Sequence, residues 1–163
     1  MKAEQWIKKL GLSPHPEGGF YKEVYRDEAK LSQEAWQNAF SGERNISTAI
    51  YYLLQEGDYS CFHRIKSDEL WHHYAGGTAL IRYFEKGDLH TLKLGLNIDQ
   101  GESPMVIIPK NVWFAAELEP ETSYALMGCT VAPGFDFADF EKASIQDLKE
   151  YIDKYPDTIE RLV

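Results

Sequence analysis

The chain is short of cysteine: among 163 residues there are two, Cys61 and Cys129. Two thiols make no disulfide framework, which excludes the stapled secreted scaffolds and fits a reducing cytoplasm. Positive charge is also scarce. Seventeen Lys and Arg stand against 26 Asp and Glu, a formal charge of −9. The resulting field repels phosphate backbones, so nucleic acid is not an expected partner. No apolar run approaches the roughly 18 residues of a membrane span, so no membrane partner is expected. The segment MKAEQWIKKLGL is too charged for a signal peptide and reads as a short amphipathic helix ended by Gly11. There is no internal repeat, low-complexity tract or linker.

What is present is an ordinary globular composition, 44% apolar and 26% charged, with 13% aromatics that favour strands. A folded monomer of this length exposes roughly 8,000 Å² and buries enough surface for a core without staples. The expectation is one domain over residues 1–163.

Strand signals run through the middle of the chain. FYKEVYR (20–26) is strand-like, with Phe20, Val24 and Arg26 on one parity. STAIYYLL (47–54), SCFHRI (60–65), ELWHHYA (69–75), TALIRYF (78–84), LHTLKLG (89–95), MVIIP (105–109), VWFAAE (112–117) and SYALMGCTV (123–131) follow, separated by turn-forming residues. EKGD (85–88) reads as a hairpin turn. Eight or nine strands at this spacing predict an all-β sandwich or barrel. Residues 27–45 are polar and read as a long variable loop with one helical turn near Ala35–Phe40. At the end, Ser144 and Asp147 form a capping-box pattern. Ile145, Leu148, Ile152 and Tyr155 then predict a helix running up to Pro156, within a helical segment of about 144–163.

The chemistry-bearing stretch is GDYSCFHRIKSDELWHHYAGG. Strand parity puts Cys61, His63 and Ile65 on one face, and Glu69, Trp71 and His73 on one face of the next strand. If those strands are neighbours, His63 and Glu69 meet inside and form a general acid–base pair; the plainer reading is a buried structural pair. Phe20, Arg26, Trp71, His73 and Trp113 are the candidate ligand contacts. Trp71 and Trp113 serve equally well as core, and Arg26 as a surface ion pair. Cys61 reads as a small buried hydrophobe, and His15 and His90 as surface residues. Glu17 is open between a helix cap, a dimer contact and a pocket residue. Gly18 and Gly19 mark a fixed turn.

The spacing resembles the first cupin motif, G-x5-H-x-H-x3-E-x6-G, at Gly57, His63, Glu69 and Gly76, with Ile65 in place of the second histidine. The second motif would start at Pro109, with Asn111 where Gly is usual and Phe114 where the further metal histidine is usual. The strings HPEGGFYKEVYR, STAIYYLL, FHRIKSDELWHHYAGG, IPKNVWFAA and CTVAPGFDF resemble the cupin family five branch, formerly a domain of unknown function. The resemblance implies a double-stranded β-helix, a jelly-roll cupin barrel over about 20–137 with short terminal α-helices. It also implies a shape like the dTDP-sugar epimerases and a homodimer, but no particular reaction. With two of four metal ligands missing, no metal cofactor is expected, a divalent metal being the alternative. The readings of function are a metal-independent epimerase or isomerase acting on a sugar or nucleotide-sugar, a non-catalytic ligand-binding or sensor module, and a metal-dependent oxygenase or hydrolase.

Overall fold

The structure, a computed structural model, describes residues 1–37 and 39–163. Helix α1 (Ala3–Leu10) ends where Gly11 adopts φ +67°, the left-handed conformation that a C-cap requires. The strands are β1 (Ser13–Pro14), β2 (Phe20–Arg26), β3 (Lys30–Leu31), β4 (Arg44–Asn45), β5 (Thr48–Gln55), β6 (Tyr59–Arg64), β7 (Glu69–Gly76), β8 (Ala79–Glu85), β9 (Asp88–Leu94), β10 (Met105–Ile108), β11 (Phe114–Leu118), β12 (Tyr124–Val131) and β13 (Glu141–Lys142). Helix α2 (Pro156–Leu162) closes the chain. No helix among the described residues is long and apolar enough to cross a membrane.

The strands form two facing antiparallel sheets. One has the order β1-β2-β5-β12-β7-β10 and the other β13-β6-β11-β8-β9, with β3-β4 as a separate ribbon. The sheets do not close into one continuous barrel, but the connectivity is that of a jelly roll. From β5 to β8 the chain changes sheet at each step, and it does so again from β10 to β12. The hairpin at residues 85–88 stays within one sheet. Glu85 pairs with Asp88, and Lys86 and Gly87 both have positive φ, as a two-residue primed turn demands.

Between the sheets lies a core built from Tyr52, Leu54, Trp71, Ile81, Ile108, Phe114 and Met127. Outside the first sheet, α1 lays Trp6, Ile7 and Leu10 over Leu53 and Leu126. Outside the second, Leu148, Ile159 and Leu162 cover Phe62, Phe84, Trp113 and Ala115. The chain exposes 8765 Å², in line with the scaling for its length.

Two segments differ from expectation. Residues 145–154 form successive turns rather than an α-helix, with bonds such as Leu148 N–H to Ile145 O and Tyr151 N–H to Leu148 O. The Ser144–Asp147 cap does form, at 2.8 Å from the Ser144 amide. Pro156 starts α2 instead of ending a helix, because its missing N–H costs nothing at the first helical position. The 27–45 segment has the expected turn at Gln33–Gln37, but it is pinned by buried Phe40 and Arg44 and by the β3–β4 ribbon; Asn38, within it, lies outside the described residues.

Candidate functional site

A cavity of about 440 Å³ opens at one end of the two sheets. The first sheet supplies Tyr21, Glu23 and Arg26 from β2, Thr48 and Ile50 from β5, Glu69 from β7, and Cys129 and Val131 from β12. His63 of β6, followed by Ile65, forms the opposite wall. Two loops complete it, one with His15 and Glu17, the other with Phe135, Asp136, Phe137 and Phe140.

The sequence reading places His63 and Glu69 on neighbouring strands. They are not on neighbouring strands. The Lys66–Asp68 turn carries the chain from one sheet to the other, so β6 pairs with β11 and β13, while β7 pairs with β12 and β10. His63 and Glu69 therefore line the same cavity from opposite walls. The partner that His63 touches is Glu17, with Nε2 at 3.1 Å from Oε2.

Glu17 reaches this position through the HPEGG turn. Gly18 (φ +116°) and Gly19 (φ +67°) hold backbone that other residues rarely adopt, and a Cβ on Gly18 would lie 2.0 Å from the Tyr59 carbonyl oxygen. The turn is fastened to β6 by Cys61 N–H donating to Glu17 O at 2.9 Å, and to β5 by the Tyr52 hydroxyl donating to Gly18 O at 2.8 Å. His15, also in the turn, has a buried side chain standing edge-on to Tyr21 at 4.5 Å. It is a wall residue and not the surface residue expected. Burial lowers its pKa, Glu17 opposes that shift, and His63 adds to it.

The hydrogen bonds define the state of the pair. His63 Nδ1 lies 2.7 Å from Cys61 O, and a carbonyl only accepts, so Nδ1 carries hydrogen. A neutral imidazole would then turn a lone pair toward Glu17. One proton must lie between Nε2 and Oε2, held by one partner or the other. Glu69 carries a second proton. Burial first, and the charge of Glu17 second, push its carboxyl up to about 8, so it is protonated at neutral pH. Trp71 and then Cys129 pull the other way. The Trp71 indole N–H is buried and makes no hydrogen bond of good geometry. Burial, with Glu69 next, holds the Cys129 thiol well above the usual range, which makes it a poor nucleophile.

Of the other expected contacts, Arg26 lines the cavity mouth and four do not line it. Phe20 packs outside the first sheet beside Leu53 and Leu126. A bulge at Val24 explains the shift: Glu23 pairs with Ile50 and Arg26 with Thr48, so Glu23 and Arg26 face in while Phe20 faces out. Trp71 is buried core, edge-on to Tyr52 at 5.4 Å. His73 turns to Gly77, with Nε2 at 3.0 Å from its carbonyl oxygen. Trp113 lies outside the second sheet under Arg64, because Phe114 takes the inward position. Cys61 leaves the His63 face for a related reason. Phe114 pairs with His63 and Ala116 with Ser60, so Cys61 and Phe62 together oppose one residue. His15 and the phenylalanines of the 135–140 loop line the cavity without having been among the expected contacts, and Glu17, left open between a cap, a dimer contact and a pocket residue, lines it as well. Two adjacent positive-φ glycines after an acidic residue were the signal for Glu17.

A sequence model described as the cupin superfamily (DUF985) matches residues 4–143. The chain belongs to this family. It is similar to protein SO0799 of Shewanella oneidensis, with a TM-score of 0.87 and 35% identity over 99% of this chain and 97% of that one. A hypothetical protein of Leishmania major gives 0.82 and 29% over the same shares. The yeast (Saccharomyces cerevisiae) protein YML079W is 30% identical over 145 residues, 83% of this chain and 72% of its own. At the positions where the cupin motifs place metal ligands, this cupin has His63, Ile65, Glu69 and Phe114. Ile65 and Phe114 offer no donor, and among the described residues no group of three His, Cys, Asp or Glu is placed to hold a metal ion. Two of the four motif positions, His63 and Glu69, carry a donor.

Proposed function

We propose that this cupin binds a small carbonyl-bearing molecule, such as a sugar, and moves a proton on it, as epimerases and isomerases do. One observation carries the reading: the Glu17–His63 pair, 3.1 Å apart, faces a protonated Glu69 across one cavity. Epimerisation next to a carbonyl needs a base to take the carbon-bound proton and an acid to support the developing enolate oxygen. Both ring nitrogens of His63 are taken, by Cys61 O and by Glu17 Oε2, so Glu17 suits the first task through its other carboxylate oxygen, with His63 orienting it, and Glu69 suits the second. Phe114 and Phe140 flank the imidazole at 4.0 and 5.4 Å and keep water from it.

The test is solvent exchange. The protein is incubated in D2O with a panel of free sugars, sugar lactones and nucleotide-sugars, and deuterium is followed by NMR. Exchange at the carbon beside the carbonyl is expected for at least one panel member. Glu17→Gln should slow it by about 100-fold or more, the usual scale of a general base, while binding persists. A bound panel member that never exchanges would favour a ligand-binding module instead.

We also propose that the chain pairs with a second copy. β1 meets β2 only at Phe20 and Tyr21, so the rest of that edge has no strand partner among the described residues. Val24 and Tyr25 are 46% and 51% exposed there. A free edge of this kind invites pairing. Light scattering should give twice the chain mass, and Val24→Lys should shift it toward one. A single-chain mass for the unaltered protein at high concentration would overturn the pairing.

A further inference from the structure

Among the described residues that line the cavity, Arg26 is the only Lys or Arg. Its guanidinium is already occupied. Nε and Nη2 donate to the two carboxylate oxygens of Glu23 at 2.9 and 2.7 Å. Nη1 donates to Asn45 Oδ1 at 2.8 Å, and Nη2 also to Phe135 O at 3.1 Å. Four of the five N–H groups of an arginine are thereby used. The other charged groups at the wall do not favour an anion. Glu17 faces the imidazoles of His63 and His15, Asp136 is exposed at the mouth, and the chain as a whole carries −9. Apolar surface fills the rest of the mouth: Phe135, Phe137 and Phe140 pack edge to face with centroids 5.0 to 6.3 Å apart.

We infer that Glu23 determines specificity: by occupying the Arg26 fork it reserves the cavity for uncharged molecules with an apolar edge and a carbonyl or hydroxyl end, and turns away carboxylates and phosphates. The inference rests on the reading of the cavity as a ligand site, and it narrows that reading from sugars in general to unphosphorylated ones. A carboxylate or phosphate would have to displace Glu23 from a bidentate pair to reach a cation, and would leave the exposed Glu23 carboxylate to solvent as a second negative charge at the mouth. An uncharged carbonyl or hydroxyl makes no such demand, because the protonated Glu69 and the Glu17–His63 pair offer it neutral hydrogen bonds.

The test uses matched single-ring probes: benzamide, benzyl alcohol, benzoate and phenyl phosphate, titrated by NMR into the full chain at pH 7. The two uncharged probes should bind at least about tenfold more tightly than the two anions, a difference of about 1.4 kcal/mol. Glu23→Gln frees the guanidinium and should narrow the gap between benzoate and benzamide by about tenfold. Glu23→Gln combined with Arg26→Gln should restore the gap, which separates freed charge from a general loosening of the wall. The inference is overturned if benzoate or phenyl phosphate matches benzamide in the unaltered protein, if Glu23→Gln leaves the preference unchanged, or if none of the four probes binds. These readouts need no turnover. A failed deuterium exchange with the charge preference intact refutes the proton-transfer reading alone, and a lost preference with exchange intact refutes this one.

Discussion

Arg44→Ala is expected to destabilise the fold by about 3–5 kcal/mol, the cost of leaving a buried charge unpaired. Arg44 and Asp139 are 6% and 5% exposed and meet through two hydrogen bonds, of 2.7 and 2.9 Å. Arg44 begins the second strand of the β3–β4 ribbon, while Asp139 sits among the phenylalanines of the 135–140 loop, so the pair ties that aromatic wall to the body of the protein. Removing Arg44 strands the carboxylate, and among the described residues only Lys66, at 3.8 Å, remains to answer it. The double substitution Arg44→Met with Asp139→Leu should recover most of the loss, because an apolar pair leaves no charge to desolvate. Urea denaturation of the three proteins decides the matter. A single variant that loses less than about 1 kcal/mol, the scale of an exposed pair, would show that solvent reaches this ion pair.

The second large effect is on pH dependence. The Glu69 carboxyl is raised from 4.5 to about 8 by burial and by Glu17. Between those values the folded protein holds a proton that the unfolded chain releases. Stability therefore falls as pH rises through that window, and above about 8 the full penalty is in place. The shift corresponds to a few kcal/mol, at most about 5. His15 acts in the opposite sense at the acid end, since its pKa is lowered and protonation below its ordinary 6.5 favours unfolding. The informative quantity is thus the difference between Glu69→Gln and the unaltered protein at each pH. The variant should gain steadily on the unaltered protein from pH 5 to pH 9. Parallel stability profiles would show that Glu69 is ionised in the folded state and not available as an acid.

Much of this protein is decided locally. Alternation of apolar and polar residues set the strands from β5 to β12 to within about two residues, and Lys86-Gly87 set a hairpin, because side-chain period and positive φ depend only on near neighbours. The family pattern rested on the same local strings. His63 and Glu69 were also legible as chemistry, since two titratable groups at inward positions of adjacent segments are costly unless they have work or a partner. What sequence could not decide was how the segments are arranged. Strand parity is the same whether the turn after His63 makes a hairpin or crosses to the facing sheet. Here it crosses, and Glu69 looks at His63 over a cavity instead of touching it. The bulges at Val24 and at Cys61–Phe62 each reversed a parity argument, bringing Glu23 and Arg26 inward and moving Cys61 off the His63 face. A bulge arises from pairing with a partner strand, which no local pattern records. Glu17 became the partner of His63 only because two glycines let the 15–19 turn lie against β6. That contact is long-range, and its energy exists only once the strands around it have assembled.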